Sequence, residues 1–270
     1  MMKKTSGMSN LPASQKGFTL VELLVAMTIS LIVMAAIYST YRSQQNSYII
    51  QDQVSVAQQN LRAAMYTMTR DIRMAGYDPT YTTKPPRRTT FGITVAKTNT
   101  LTFTSDLNED GDATEANETI VYSLDANNNL TRDEGGGPQT LAENIVAMGF
   151  AYAYDNNGDY IMDMSANNHI IWAIDSNNDG KLDLSLDTND NGVIDATDDT
   201  DSNGTINGTS VGPILITKIK SVKIWLLART DKRISGYNDA TRYVVGNSIP
   251  TLESGYMYRL LTETAKCRNL

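Results

Sequence analysis

Asp175, Asp187 and Asp199 stand twelve residues apart, and Gly180, Gly192 and Gly204 repeat that interval. Around them the unit D-x-[ND]-x-[DN]-G-x-x-[DN] runs three times in tandem, from Asp175 to Asn207. The oxygen-bearing side chains of the first unit are Asp175, Asn177, Asp179 and Asp183. Those of the second are Asp187, Asn189, Asn191 and Asp195, and those of the third Asp199, Asp201, Asn203 and Asn207. Oxygens at alternate positions can converge on one cation, and Gly supplies the sharp turn that follows. Carboxylates and amides without His or Cys suit a hard ion, so the expected cofactor is Ca2+. Val193, Ile194 and Ile206, behind the glycines, are placed to pack successive loops together.

Two further stretches carry related patterns. Asp106, Asn108, Asp110 and Asp112 match the first half of an EF-hand loop, although Asn117 stands where the twelfth-position Glu belongs and Glu118 is adjacent. Asp155, Asn157, Asp159 and Asp163 supply the acids of a similar loop whose Gly falls early. The alternative for each stretch is a solvated Asp/Asn/Gly linker that holds no ion. An acidic block of this density repels itself without cations, so calcium is expected to order it.

Other chemistries find little support. The one His, His169, has no second His or Cys nearby, which argues against zinc and against catalysis by it. It is expected at the start of a strand. No nucleophile–base pair and no Gly-rich phosphate loop ahead of a helix is present, so an enzyme is not expected. The one cysteine, Cys267, excludes an internal disulfide. A formal net charge of -7, with no Lys/Arg cluster past the N-terminal segment, disfavours a nucleic-acid partner.

The elements that position these groups begin with a membrane segment. Phe18 to Tyr38 is apolar except for Thr19, Glu22, Thr28 and Ser30, and at helical rise it spans roughly 30 Å, a bilayer core. Lys3, Lys4 and Lys16 precede it and place the leader, residues 1–17, in the cytoplasm. Glu22 costs a few kcal/mol in lipid, so it needs a partner. Gly and Pro are absent from Phe18 to Ala75. Val54, Ala57, Leu61, Ala64, Met68, Ile72 and Ala75 recur at steps of three and four, the mark of a helix with one buried stripe. Gly76 and Pro79 stop it. One helix over residues 18–76 is therefore expected, its first part (18–38) in lipid or a fibre core. From residue 77 to 270 the pattern becomes β-rich, with strands expected at Phe91–Ala96, Leu101–Ser105, Glu118–Leu124, Ile145–Tyr154, His169–Ile174, Ile214–Ala228, Tyr243–Val245 and Tyr256–Thr262. The expected class is α+β: a long N-terminal helix packed on an antiparallel sheet, with the acidic repeat 175–207 as an insertion.

Lys16-Gly-Phe-Thr-Leu-Val-Glu22 places its small residue before the apolar run, where a secretory signal has it after. This resembles the class III signal of type IV pilins and type II secretion pseudopilins. The resemblance implies cleavage after Gly17, methylation of the new amine at Phe18, and subunit docking through Glu22. LRAAMYTMTRDIRMAGYDP (61–79), IVAMGFAYAYDNNGDYIMD (145–163), VKIWLLART (222–230) and the final CRNL resemble PilW-type minor pilins and the J-type minor pseudopilins. Asp175–Asn207 is longer and more acidic than the matching loop of that family. The resemblance implies a structural subunit that joins and primes a type IV pilus, and the acidic loops add calcium as its expected stabiliser. The alternatives are a pseudopilin at the tip of a type II secretion system and a calcium-dependent tip adhesin. Implied partners are other minor and major pilins through the N-terminal helix, the prepilin peptidase and the inner-membrane assembly platform. The implied location is the inner membrane, single-pass, with the C-terminal domain in the periplasm, and later the pilus.

Overall fold

The computed structural model describes residues 17–79, 91–113 and 115–270. The leader up to Lys16 lies outside them. The chain divides into two units, Met1–Ile50 and Gln51–Leu270.

In the first unit, Gly17, Phe18 and Thr19 lead into helix α1, which runs Leu20–Arg73 and continues into the second unit. Thr19 and Glu22 start it with a reciprocal cap. The Glu22 Oε2 accepts from the Thr19 N–H and hydroxyl, each at 2.9 Å, and the Glu22 N–H donates to the Thr19 hydroxyl at 3.2 Å. From Phe18 to Tyr41 every large apolar side chain is exposed.

The second unit holds two antiparallel sheets, where the sequence pattern suggested one. The first is a meander in the order β1 to β5: β1 Gly92–Ala96, β2 Leu101–Thr104, β3 Thr119–Leu124, β4 Leu130–Asp133 and β5 Gln139–Ala142. The second has the order β11-β10-β6-β7-β8-β9. Its strands are β6 Ile145–Tyr154, β7 Ala173–Ile174, β8 Lys181–Ser185, β9 Thr209–Leu215, β10 Ile219–Arg229 and β11 Tyr258–Lys266.

Several expected boundaries shift for physical reasons. The run Ile214–Ala228 is broken by a 3₁₀ turn at Ile216–Lys218, so its two ends serve β9 and β10. Only Ala173–Ile174 of His169–Ile174 joins the sheet. Ile170 makes a lone bridge to Met164, and Tyr243–Val245 contributes a single bridge from Val245 to Ser248. The last strand begins at Tyr258, not Tyr256. The helix ends at Arg73, and a turn through Met74–Gly76 follows, with Gly76 at φ +77° and its N–H on the Thr104 carbonyl. A Cβ on Gly76 would lie 2.4 Å from Leu270, whose side chain is seated against the helix end.

The core forms because both sheets need an apolar partner. Leu61, Ala64, Met65, Met68 and Ile72 are buried, and they share one cluster with Phe103, Tyr122 and Leu130 of the first sheet and Phe150, Tyr152, Val222 and Ile224 of the second. Leu61, Ala64, Met68 and Ile72 belong to the expected stripe. Asp71 adds a polar tie. Its buried carboxylate accepts from the Tyr122 hydroxyl at 2.8 Å and from Arg132 Nε at 2.8 Å. The paired charge offsets its desolvation, and loss of one partner would leave a buried group unmatched. Burial and the Asp71 charge both hold the Tyr122 hydroxyl protonated, well above the usual tyrosine range.

The six-stranded sheet is buried on its other face too. Ala151, Ala153, Trp225 and Leu227 alternate with the first core and join a second one with Trp172, Ile174, Leu186, Ile194, Ile206, Val244, Val245 and Tyr258. Ile194 and Ile206 come from the tandem repeat and pack there, against the sheet as well as against a neighbouring loop. Val193 does not: it is more than half exposed.

Candidate functional site

Five loops share one wiring, built from the first, third and fifth residues of each acidic unit. The first Asp receives two backbone N–H groups of its own loop. Asp175 takes those of Asp179 and Gly180, Asp187 those of Asn191 and Gly192, and Asp199 those of Asn203 and Gly204, all at 2.7–3.1 Å. Asp106 takes Glu109 and Gly111, and Asp155 takes Gly158 and Tyr160. The third side chain (Asn108, Asn157, Asn177, Asn189 or Asp201) accepts from the N–H of the fifth residue. The fifth (Asp110, Asp159, Asp179, Asn191 or Asn203) accepts from that of the seventh.

This wiring needs positive φ at positions four and six, which turns successive N–H groups inward. All five loops have it there, from Glu109 at 68° and Gly111 at 93° to Ser202 at 56° and Gly204 at 87°. The early Gly of the 155 loop is thereby explained. Gly158 fills position four, and Tyr160, at φ +65°, holds position six, where the other loops have Gly. Asp106, Asp155, Asp175 and Asp199 are buried, so each first carboxylate is a fixed anchor under its loop.

A second acid closes most loops by accepting the N–H of the second residue. Asp183 accepts from Ser176 at 2.9 Å and Asp163 from Asn156 at 3.4 Å, both at the expected ninth position. In the 187 loop the closing acid is Asp198, not Asp195. Asp198 takes the Thr188 N–H at 2.7 Å, while Asp195 turns to Thr197. In the 106 loop it is Glu118, buried, which accepts from Leu107 and Asn108. Asn207 reaches back to Asp201, 3.0 Å away. Spacing missed Asp198, because the twelve-residue register has no place for it. It underrated Glu118, which lies one residue past the EF-hand position.

The carboxylates gather densely. Carboxylate oxygens of Asp106, Asp110 and Glu118 lie within 4.8 Å of one another, as do those of Asp110, Asp112 and Glu115. The hydrogen bond to Glu118 raises the Glu115 carboxyl, and burial and the nearby Asp110 and Asp112 charges add to the rise. Elsewhere the loops hold acids ionised. Burial opposes ionisation of Asp155, but the N–H groups of Gly158 and Tyr160 outweigh it and lower its pKa. Burial likewise opposes ionisation of Asp199, and the Gly204 N–H and the Arg242 guanidinium, 3.0 Å away, offset it. Arg242 is a partner that repeat spacing could not show. His169 is not in a strand. Its Nδ1 lies 3.0 Å from the Asp190 carbonyl oxygen and 3.2 Å from a carboxylate oxygen of Asp190, and it joins Asp187 and Asp190 in a third close group.

At the other end of the chain, Gly17 is open among the described residues, with no atom beyond its chain neighbours within 4 Å of a Cβ built there, and Phe18 is 89% exposed. The Glu22 Oε1 takes no hydrogen bond from a described residue, so it has acceptor capacity left.

Residues 12–38 match the prokaryotic N-terminal methylation motif. Residues 51–151 match the family described as prepilin peptidase-dependent protein B, and residues 112–269 match type IV pilus-assembly protein W. The chain belongs to the PilW family. It is a type IV minor pilin of PilW type, with one long N-terminal helix and two antiparallel sheets. Among solved structures it is similar to a type IV-like pilin from Thermus thermophilus, at 13% identity and TM-score 0.38, over 78% of this chain and 97% of that one. No curated protein matches it.

The strain in this PilW-family chain's 155 loop yields a direct prediction. Tyr160 is 91% exposed, so its side chain adds little packing. Tyr160→Gly keeps the N–H on Asp155 and relieves a left-handed Cβ contact worth about 1–2 kcal/mol, against about 0.5–1 kcal/mol of extra chain entropy. Chemical unfolding of the detergent-solubilised protein should show the variant more stable by roughly 0.5–1 kcal/mol at unchanged slope.

Proposed function

We propose that this minor pilin is trimmed between Gly17 and Phe18, held in the inner membrane by the Phe18–Tyr38 segment, and drawn from there into a type IV pilus. The observation that carries the reading is the methylation-type motif, residues 12–38, which runs into the part of α1 where every large apolar side chain up to Tyr41 is bare. Bare apolar surface of that extent is unfavourable in water, and lipid or other helices must cover it. Removal of the leader creates an amine at Phe18. The spare Glu22 oxygen suits an amine of a neighbouring subunit, because a carboxylate in an apolar bundle needs a charged partner. Prepilin peptidase, the assembly platform and other minor and major pilins are the partners this requires. The globular unit would face the periplasm first and the outside of the fibre later. The match to a pilus-assembly family favours the pilus over a secretion-system tip.

Ca2+ belongs to the same proposal. The donors are all oxygens, they crowd one another, and the loops already have the tight turns an ion needs. Asp106, Asn108, Asp110 and Glu118 would hold one ion. Asp155, Asn157, Asp159 and Asp163 would hold another. In the repeat, the first, third and fifth residues of each unit would do so, with Asp183 and Asp198 closing the first two. When bound, the ion supplies positive charge that relieves carboxylate repulsion. The residues themselves keep Ile194 and Ile206 seated on the far face of the six-stranded sheet.

Two outcomes are expected. The peptide mass of the chain purified from pilus-producing cells should begin at Phe18 and carry one added methyl group, and a chain that retains residues 1–17 would refute the processing. Subtilisin should cut between Asp175 and Asn207 faster in the presence of a calcium chelator than with calcium. Equal rates would remove the metal from the account.

A further inference from the structure

Helix α1 carries more on its second half than the buried stripe. Arg62, Tyr66, Arg70 and Arg73 recur at steps of three and four on an exposed face, and Arg268 comes up beside them. Between this face and β11 lies a cleft of about 500 Å³, which these arginines line. Its one acid is Glu263. Among the described residues, Arg62, Arg73 and Arg268 make no ion pair, and Arg70 pairs with Asp71 alone. In a chain of net charge -7 this is a concentrated positive site.

The floor of the cleft is not built for a bare anion. Met65, Met74 and Leu261 give it an apolar lining, and thioethers adapt to varied side chains. Thr69 also lines it, and the Thr69 hydroxyl is buried with no hydrogen-bond partner. An unmatched hydroxyl in a low-dielectric site gains when a ligand supplies a partner. Finally, β11 is a terminal strand of its sheet, and beyond its pairing with β10 no backbone bond reaches Arg259–Lys266 among the described residues.

We propose that this cleft takes an extended acidic segment of another protein, laid along β11 with its carboxylates on the arginine row. A strand added at an open edge gains main-chain hydrogen bonds and sends alternate side chains to one face. Carboxylates on that face meet guanidinium forks, whose planar geometry suits them. Apolar side chains between them meet the methionine and leucine floor. A phosphate would use the charge but neither the apolar floor nor the strand edge. The proposal draws on the pilus reading only for the source of the segment, a neighbouring subunit.

The test uses the full trimmed protein in detergent and a fluorescent nonapeptide of alternating Glu and Val. Fluorescence anisotropy should show saturable binding that weakens as salt rises. The combined Arg73→Gln and Arg268→Gln variant, with an unchanged unfolding midpoint, should bind roughly tenfold more weakly. Arg62→Gln serves if that variant unfolds. An alternating Lys–Val peptide should not bind. Equal binding of both peptides, or undiminished binding by the arginine variants, overturns the proposal. Full displacement by millimolar inorganic phosphate or by short-chain phosphatidylglycerol overturns it as well and assigns the cleft to phosphate. The arginine variants leave residues 17–22 untouched, so the mass of their N-terminus reports separately on the processing reading.

Discussion

An uncovered apolar helix is the constraint on which this molecule depends. Large apolar side chains from Phe18 to Tyr41 are exposed, while the buried positions of α1 start at Ala57. One sequence thus writes two helices end to end. The first half is apolar all round and can be satisfied only by lipid or by copies of similar helices. The second half is amphipathic and is satisfied by its own chain. Glu22 is the one charged side chain between Phe18 and Tyr41, capped by Thr19 and with one oxygen to spare. Its presence makes sense if a partner brings a positive charge to it.

The globular unit solves a different problem, which is how to bury both faces of a six-stranded sheet. One face lies on the stripe of α1 and shares its core with the five-stranded meander. The other is covered by segments that look like linker: Leu186, Ile194 and Ile206 from the repeat, and Val244 and Val245 from beyond it. Burying Ile194 and Ile206 contributes about 1.5–3 kcal/mol each. The acidic turns therefore serve the core as well as any ion, because they aim these side chains inward. They hold their shape by folding backbone N–H groups onto their own carboxylates, a local bond set that leaves the oxygens crowded. Charge left crowded in this way favours a cation, and the same logic in reverse applies at the arginine cleft beside β11.

Much of this was legible in the chain itself. The stripe from Ala57 to Ile72 read correctly because its three-and-four spacing has one explanation. Strands β3, β6 and β10 read well because alternation and β-branched or aromatic residues coincide in them. Strands β4 and β5, written LTRD and QTLA, are short and polar, and pairing across the meander makes them strands more than their own residues do. Strands β8 and β9 flank or lie within the repeat, where Asp and Gly spacing masks alternation. The acidic patterns showed the first Asp of every loop, but they missed Asp198 and gave Glu118 only as a neighbour of the twelfth position, since loop closure depends on where the chain returns. Asp71 was invisible for the same reason: Tyr122 and Arg132 are brought to it by the first sheet.

The central claim is that the bare helix, cut free of its leader, docks on like helices through Glu22. The direct measurement is the amount of this chain in sheared pili from cells that express either the wild-type protein or Glu22→Ala, with trimming verified in both. The account predicts that the wild-type chain is recovered in the pili and that the variant, though trimmed, stays in the inner membrane. A Glu22→Ala chain that enters pili at the wild-type level would contradict it.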